Sequence, residues 1–290
     1  MNTIWSTYIQ NIGTLYDSRS LRFCDLFRDE YKKIFALEDK HKILEIGCGP
    51  GALAESLARW YPSSQIFGLD RDSNFIQFAA NQAPHIQFSE GDATSLPYES
   101  ESFDVTISNT VAEHIEPSAF YGEQYRVLRK NGVCLVLSAR KGIQLAAPCI
   151  AEESDFERDI WQRTAPRLSE NIKKHAVCAY PQNESELPLH MEQYGFRNVK
   201  TEYITVNLTP DNPIYSPEMA YAMINANRQG DIDSAQSLKH IAADLVTPDE
   251  VEELIRRIHV KYDKRLALYD AGIRQWDTNL SVTMIVRGTK

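Results

Sequence analysis

The stretch HKILEIGCGPGALAESLARWYP, residues 41–62, sets Gly47, Gly49 and Gly51 between an apolar run and an amphipathic one. Glycines so spaced let a backbone turn sharply and approach a ligand without side-chain interference. Read as Gly47-x-Gly49-x-x-Ala52, the turn satisfies the loose dinucleotide pattern. Asp70 follows Gly47 by 23 positions, near the ~20 expected of a ribose-binding carboxylate. Glu45 stands two residues before Gly47. A carboxylate there repels pyrophosphate and suits a ligand with an ammonium group or a bridging water. Asp92, in EGDATSLPY (90–98), ends another apolar run and can accept from an exocyclic amine such as that of adenine. His114, in TVAEHIEP, is a titratable group placed to face the same cleft. These residues leave a purely structural turn, a dinucleotide site and an amine-bearing ligand as open readings.

The flanking pattern positions these groups. Short apolar strands are predicted over 42–47, 65–70, 86–92, 103–109 and 133–139. Helices alternate with them: 52–61, stopped by Pro62; 73–82, capped by Asp72 or Ser73 and ended before Pro84; and 117–132, opened by Pro117. Apolar strands alternating with helices imply a doubly wound parallel sheet. Right-handed crossovers put the carboxyl ends of all its strands on one edge, where ligands bind at the reversal of strand order. Beyond residue 140 the alternation loosens. A helical patch is read at 152–163, a helix at 188–196 closed by Gly195, and strands at 199–208 and 281–288. Between those strands lie about 70 mostly helical residues, the clearest helix being 248–270, with Val251, Leu254, Ile255, Ile258, Tyr262 and Leu266 on one face.

The bulk composition narrows the partners. A net charge of −9, from 31 basic and 40 acidic side chains, repels polyanions, so no nucleic-acid partner is expected. No window approaches ~18 consecutive apolar residues, so no membrane span is expected. The first twenty residues lack a basic start and a continuous apolar stretch, unlike a secretory signal. Five cysteines, with no C-x-x-C pair, read as reduced thiols and no metal site. A cytoplasmic location follows as the expectation.

Four segments together, ILEIGCGPG, IFGLDRD, IQFSEGDATSLPYESESFDVTISNTVAEHIEP and LRKNGVCLVLS, resemble the class I S-adenosylmethionine-dependent methyltransferases, nearest to the small-molecule type that includes the ubiquinone and menaquinone methylases. The resemblance covers roughly residues 40–140 and the two late strands. It implies a Rossmann-like α/β fold with a seven-stranded, mostly parallel sheet whose last strand is antiparallel. It implies S-adenosyl-L-methionine as cofactor, with Glu45, Gly47, Cys48, Gly49 and Gly51 at its methionine end. Asp70 would accept from both ribose hydroxyls and Arg71 would lie over the adenine edge. Gly91, Asp92 and Ala93 would hold the adenine, and Ser108 and Asn109 would lie beneath the sulfonium. On this resemblance the glycine turn meets an aminoacyl-nucleoside with no phosphate.

Methyl transfer is an in-line displacement at carbon from an excellent leaving group. The protein must align the acceptor, exclude water and, for some acceptors, take a proton. His114 is either that base or a cofactor-contacting wall of the site. His190 is read as a satisfied structural histidine, and Glu113 as a solvated or supporting group. In the resembling family a preceding helix folds over the cofactor. Residues 1–40 are therefore expected to cover the site, with Tyr16 and Arg19 reaching the methionine carboxylate. The alternative is a surface helix packing Tyr8, Ile12 and Leu15 on the core. Trp161, Tyr180, Tyr215 and Trp276 are candidate aromatic walls for the acceptor.

The core is expected over 41–208 and 276–290, with 141–187 as a partial lid. The insertion 209–275 is expected to be an acceptor cap or a homodimer contact. Cys149 follows Pro148, as in cytosine-5 methylases, but after the fifth strand instead of the fourth, which argues against that chemistry. SNTVAEH in place of Asn-Pro-Pro-Tyr disfavours amino methylation of DNA adenine or glutamine. The leading expectation is transfer of a methyl group to a small-molecule acceptor. The alternatives are a cofactor-binding regulator or scaffold without turnover, and an NAD-dependent oxidoreductase.

Overall fold

The structure, a computed structural model, describes residues 5–147 and 153–290, with 140–147 described by backbone alone. In chain order the elements are α1 (Trp5–Tyr8), α2 (Ile12–Arg22), α3 (Arg28–Phe35), β1 (Lys42–Ile46), α4 (Ala52–Trp60), β2 (Gln65–Asp70), α5 (Ser73–Gln82), β3 (Gln87–Glu90), β4 (Phe103–Asn109), α6 (Pro117–Val127), β5 (Leu128–Ala147), α7 (Asp155–Lys174), α8 (Glu186–Gln193), β6 (Arg197–Leu208), α9 (Pro217–Ile241), α10 (Pro248–Asp270) and β7 (Thr278–Thr289).

The strands form one seven-stranded sheet in the order β3-β2-β1-β4-β5-β7-β6. β7 runs antiparallel to both of its neighbours, and the other pairings are parallel. The order reverses between β1 and β4. Period-2 alternation splits the strands between two apolar layers: Ile43, Val105 and Ile107 face one, while Leu44 and Ile46 face the other. The first layer also takes Leu53, Leu57 and Trp60 from the amphipathic α4, and Tyr31 of α3 stacks on Trp60 at 5.4 Å.

Local signals set most element ends. Asp72 caps α5 by accepting from the Asn74 and Phe75 N–H groups. Thr247 and Glu250 form a capping box on α10, and Ser154 and Glu157 form one on α7. Two boundaries differ from the sequence reading. The helix expected over 117–132 ends at Val127, because Leu128 pairs with Phe103 and is wholly buried in the sheet layer. That burial outweighs the helical propensity of the following residues. The patch expected at 152–163 belongs to a helix of 20 residues that runs through Pro166 to Lys174. Cys149 lies outside the described residues.

α7, α9 and α10 bury a common apolar cluster that includes Ile160, Ile224, Ile232, Leu238, Leu254 and Ile258. This helical unit is tied to the sheet by Arg265. Its guanidinium is fully buried and donates to Asp277 Oδ1 at 2.9 and 2.6 Å and to Asp211 Oδ2 at 2.9 Å. No described helix is long and apolar enough to cross a membrane.

Candidate active site

The glycine turn leaves β1 and is tied to the end of β2 by backbone bonds. The Gly47 and Cys48 N–H groups both donate to Leu69 O, at 2.7 and 3.0 Å, and the Gly49 N–H donates to Asp70 Oδ2 at 2.8 Å. Gly47 has φ +67°, and a Cβ there would stand 2.4 Å from Val111 Cγ2, so only glycine fits. Asp70 Oδ1 accepts from the Asp72 N–H at 2.8 Å. Each Asp70 oxygen thus has one backbone partner and lone-pair capacity left over. The turn and this carboxylate therefore form one preset unit.

A cavity of about 590 Å³ opens above this unit, at the carboxyl ends of β1 to β4 and at the reversal of strand order. That volume lies within the ~300–1,000 Å³ of small-molecule sites. Glu45, from β1, faces it and is 2 % exposed, and its Oε2 has no hydrogen-bond partner among the described residues. Burial pushes the Glu45 carboxyl well above the usual range; the Ala54 N–H opposes this and Asp70 adds to it. Burial also raises Asp70. Opposite stands Arg19 of α2, whose Nη2 donates to Thr110 Oγ1 at 2.9 Å. Burial, with help from Arg22, lowers its guanidinium to about 10, which keeps it cationic at neutral pH. A buried acid with an open acceptor and a nearby cation are the two halves of an amino-acid binding pair. Burial also pushes the Cys48 thiol well up, so it is a neutral packing group and not a nucleophile.

Apolar and aromatic side chains also line the cavity, among them Trp5, Ile9, Val111, Ile115, Val177 and Tyr180. His114 stands among them, its ring edge-on to Trp5 with centroids 4.8 Å apart. Its Nδ1 accepts the Cys178 backbone N–H at 2.9 Å. A backbone N–H only donates, so this Nδ1 is unprotonated and the neutral ring carries its proton on Nε2. Taking up a further proton at Nδ1 would break that bond.

The sequence model of the methyltransferase domain family matches residues 44–136, the segment that supplies the turn, Asp70, Asp92 and His114. A fatty-acid O-methyltransferase of Mycolicibacterium smegmatis is 36% identical over 103 residues, 34% of this chain and 37% of that protein. A phthiotriol/phenolphthiotriol dimycocerosates methyltransferase of Mycobacterium leprae is 40% identical over 95 residues, 31% of this chain and 35% of that protein. The chain thus spans little more than a third of the length of these relatives. Phosphoethanolamine N-methyltransferase 2 of Haemonchus contortus, solved with S-adenosyl-L-methionine, has the same fold, with a TM-score of 0.53 and 16% identity over 99% of this chain and 59% of that one.

Within the matched segment the cavity wall includes Glu45, Gly47, Cys48, Gly49, Asp70, Arg71, Gly91, Asp92, Ala93, Asn109 and His114, and Arg19 joins them from α2. Asp92 is also the anchor of its own loop, its Oδ1 accepting from the Thr94 N–H and hydroxyl at 2.8 and 2.7 Å. Three expected residues do not line the cavity. Gly51, at φ +92°, opens α4 and abuts Ala79 and Phe88. Ser108 is wholly buried within β4. Tyr16 turns to the other side of α2, where its hydroxyl donates to Glu55 Oε2 at 3.0 Å and its ring meets Phe78; i, i+4 spacing puts Arg19 with Leu15, one position off.

Of the four aromatic candidates only Tyr180 lines the cavity. Trp161 packs in the helical unit, Tyr215 in the sheet layer, and Trp276 is half exposed. His190 pairs with Gln182 at 2.8 Å, a structural role. None of residues 209–275 is among those that line the cavity. The sequence reading missed Trp5, Ile9, Val111 and Val177. Their only signal was apolar character near the resembling segments, and nothing in the sequence marks Val177 as a neighbour of His114.

Proposed function

We propose that this chain transfers the methyl group of S-adenosyl-L-methionine to a small molecule with an apolar body. The observation that carries the reading is Glu45: a buried carboxylate with an open acceptor, beside a turn too tight for side chains and facing Arg19. An ammonium group satisfies the open acceptor of Glu45 and a carboxylate satisfies Arg19, whereas a pyrophosphate offers Glu45 no donor. The donor set thus fits an aminoacyl-nucleoside better than a dinucleotide. Asp70 would take the ribose hydroxyls through its remaining lone pairs, and Asp92 and Ala93 the adenine edge. When bound, the cofactor supplies an electrophilic methyl group on a good leaving group.

The residues of this chain then bind, orient and dehydrate. Trp5, Ile9, Val177 and Tyr180 seat an apolar body and keep water from the reacting carbon. With the Nδ1 of His114 engaged by Cys178, an acceptor that enters already ionised needs no protein base. Two relatives named for a fatty acid and for phthiotriol-type lipids support a lipid-like acceptor. Four described cysteines without disulfides support a cytoplasmic location.

Incubation of the purified chain with methyl-labelled S-adenosyl-L-methionine and a panel of long-chain carboxylic acids, hydroxylated lipids and small polar amines tests the reading. Label is expected in an apolar acceptor. Transfer to the polar amines alone, or none together with retained NAD, contradicts it.

A further inference from the structure

The cavity has two kinds of wall. One is the sheet edge. The other is α2, which brings Leu15 and Arg19 to the site, and it is poorly equipped to stand alone. It has 11 residues, and isolated helices shorter than ~12–15 residues are marginal in water. Gly13, Thr14, Asp17, Ser18 and Ser20 are weak helix formers, and only Leu15 and Leu21 of α2 are buried.

Its outer side meets α9. The Thr14 hydroxyl donates to Asp233 Oδ2, and the other oxygen of that carboxylate accepts from Gln229 Nε2 at 2.8 Å, one turn earlier on α9. Gly230 borders the same contact: Thr14 Cγ2 lies 3.8 Å from where its Cβ would stand, an ordinary van der Waals distance. α9 is a firm base, 25 residues long and embedded in the helical unit. Asp231, two residues before Asp233, takes hydrogen bonds from Tyr262 at 2.9 Å and Lys261 at 3.1 Å on α10.

We propose that Asp233 is a positioning residue for the cofactor site: by holding Thr14 it fixes the lie of α2, and through it the place of Arg19 in the cavity. The insertion 209–275 then serves the site from behind the wall, without touching what binds there. Among the described residues the Arg19 guanidinium donates to the neutral Thr110 hydroxyl. Its place depends on the helix that carries it. This inference rests on the reading of the cavity as a site for S-adenosyl-L-methionine.

The test is calorimetric titration of the full chain and its variants with S-adenosyl-L-methionine, joined to hydrogen exchange of the free proteins. Asp233→Ala and Thr14→Val each weaken binding about tenfold, the scale of one hydrogen bond to a charged group. The double variant is no weaker than either single one. Thr14→Ser, which keeps the hydroxyl, binds within about twofold of the unaltered chain. The amides of α2 lose protection in Asp233→Ala while those of β1 and α4 keep theirs. If Asp233→Ala does not fold, Thr14→Val against Thr14→Ser decides. Unchanged affinity with lowered thermal stability makes the bond structural only and overturns the proposal, as does a double variant weakened about a hundredfold. If the unaltered chain does not bind, the functional reading falls and takes this one with it. If it binds and the variants bind equally well, the positioning role alone falls.

Discussion

The sheet-edge half of the cavity and its side wall are built by different means. At the sheet edge, backbone bonds hold the groups that would meet a ligand: Gly47 and Cys48 to Leu69, Gly49 to Asp70, and Asp72 to Asp70. In the side wall, single side-chain contacts do the holding. Thr14 bonds Asp233, Ser6 bonds Asp72, Asn171 Nδ2 donates to Tyr8 O at 3.1 Å, and the Tyr8 ring stacks on His175. Backbone-tied turns in a buried sheet open only with the whole domain, whereas segments held by a few exposed contacts open locally. Changes at the edge should therefore abolish the site, and changes in the wall should tune it.

The sharpest way to break this contrast is Gly47→Ala. It adds a Cβ against Val111 at positive φ, a strain of roughly 1–3 kcal/mol. Cofactor affinity is expected to fall by more than about a hundredfold in calorimetry, with a lower urea midpoint. Binding within threefold of the unaltered chain would make the turn a bystander. Asp70→Ala removes both proposed ribose acceptors and frees the Gly49 N–H, and is expected to cost about 10- to 100-fold in affinity.

Glu45→Gln sharpens the comparison through pH. Burial raises this carboxyl, so the folded chain keeps a proton that the unfolded chain releases at ordinary carboxylate pH. Stability then falls as pH rises from that range until Glu45 ionises, by up to ~1.4 kcal/mol per pH unit. Glu45→Gln should flatten that slope in urea titrations from pH 4.5 upward, leaving the smaller contribution of Asp70, which runs in the same direction. A parallel curve would mean that Glu45 ionises normally.

His114→Asn is a wall change. The rate should fall by no more than about tenfold and the pH–rate profile should keep its shape, whereas a lost acid limb would restore the base role. Tyr16→Phe is the mildest change, since its hydroxyl goes to Glu55 away from the cavity, and affinity should stay within about twofold.

What the sequence disclosed follows the same division. The turn, Asp70 and Asp92 lie at the ends of strands whose apolar period is strong, so their common edge follows from the right-handed crossover alone. Tyr16 and Arg19 were both expected at the site, and three positions along α2 separate the one that faces it from the one that does not. Local pattern does not fix that rotation, because α2 has almost no apolar stripe and takes its setting from α9, more than 200 residues later in the chain. Tyr180 and Val177 come to the site through the turn after α7, which is held by the Cys178 bond to His114 and the Tyr180 N–H to Glu113 O. Such contacts join residues that no spacing rule connects.

The most direct measurement is a crystal structure of the chain with S-adenosylhomocysteine. The account predicts the amino group within hydrogen-bond distance of Glu45, the carboxylate near Arg19, both ribose hydroxyls on Asp70 and the adenine beside Asp92 and Ala93. A ligand bound elsewhere, or a crevice that accepts NAD with its diphosphate on the Gly47–Gly51 turn and refuses the nucleoside, would contradict it.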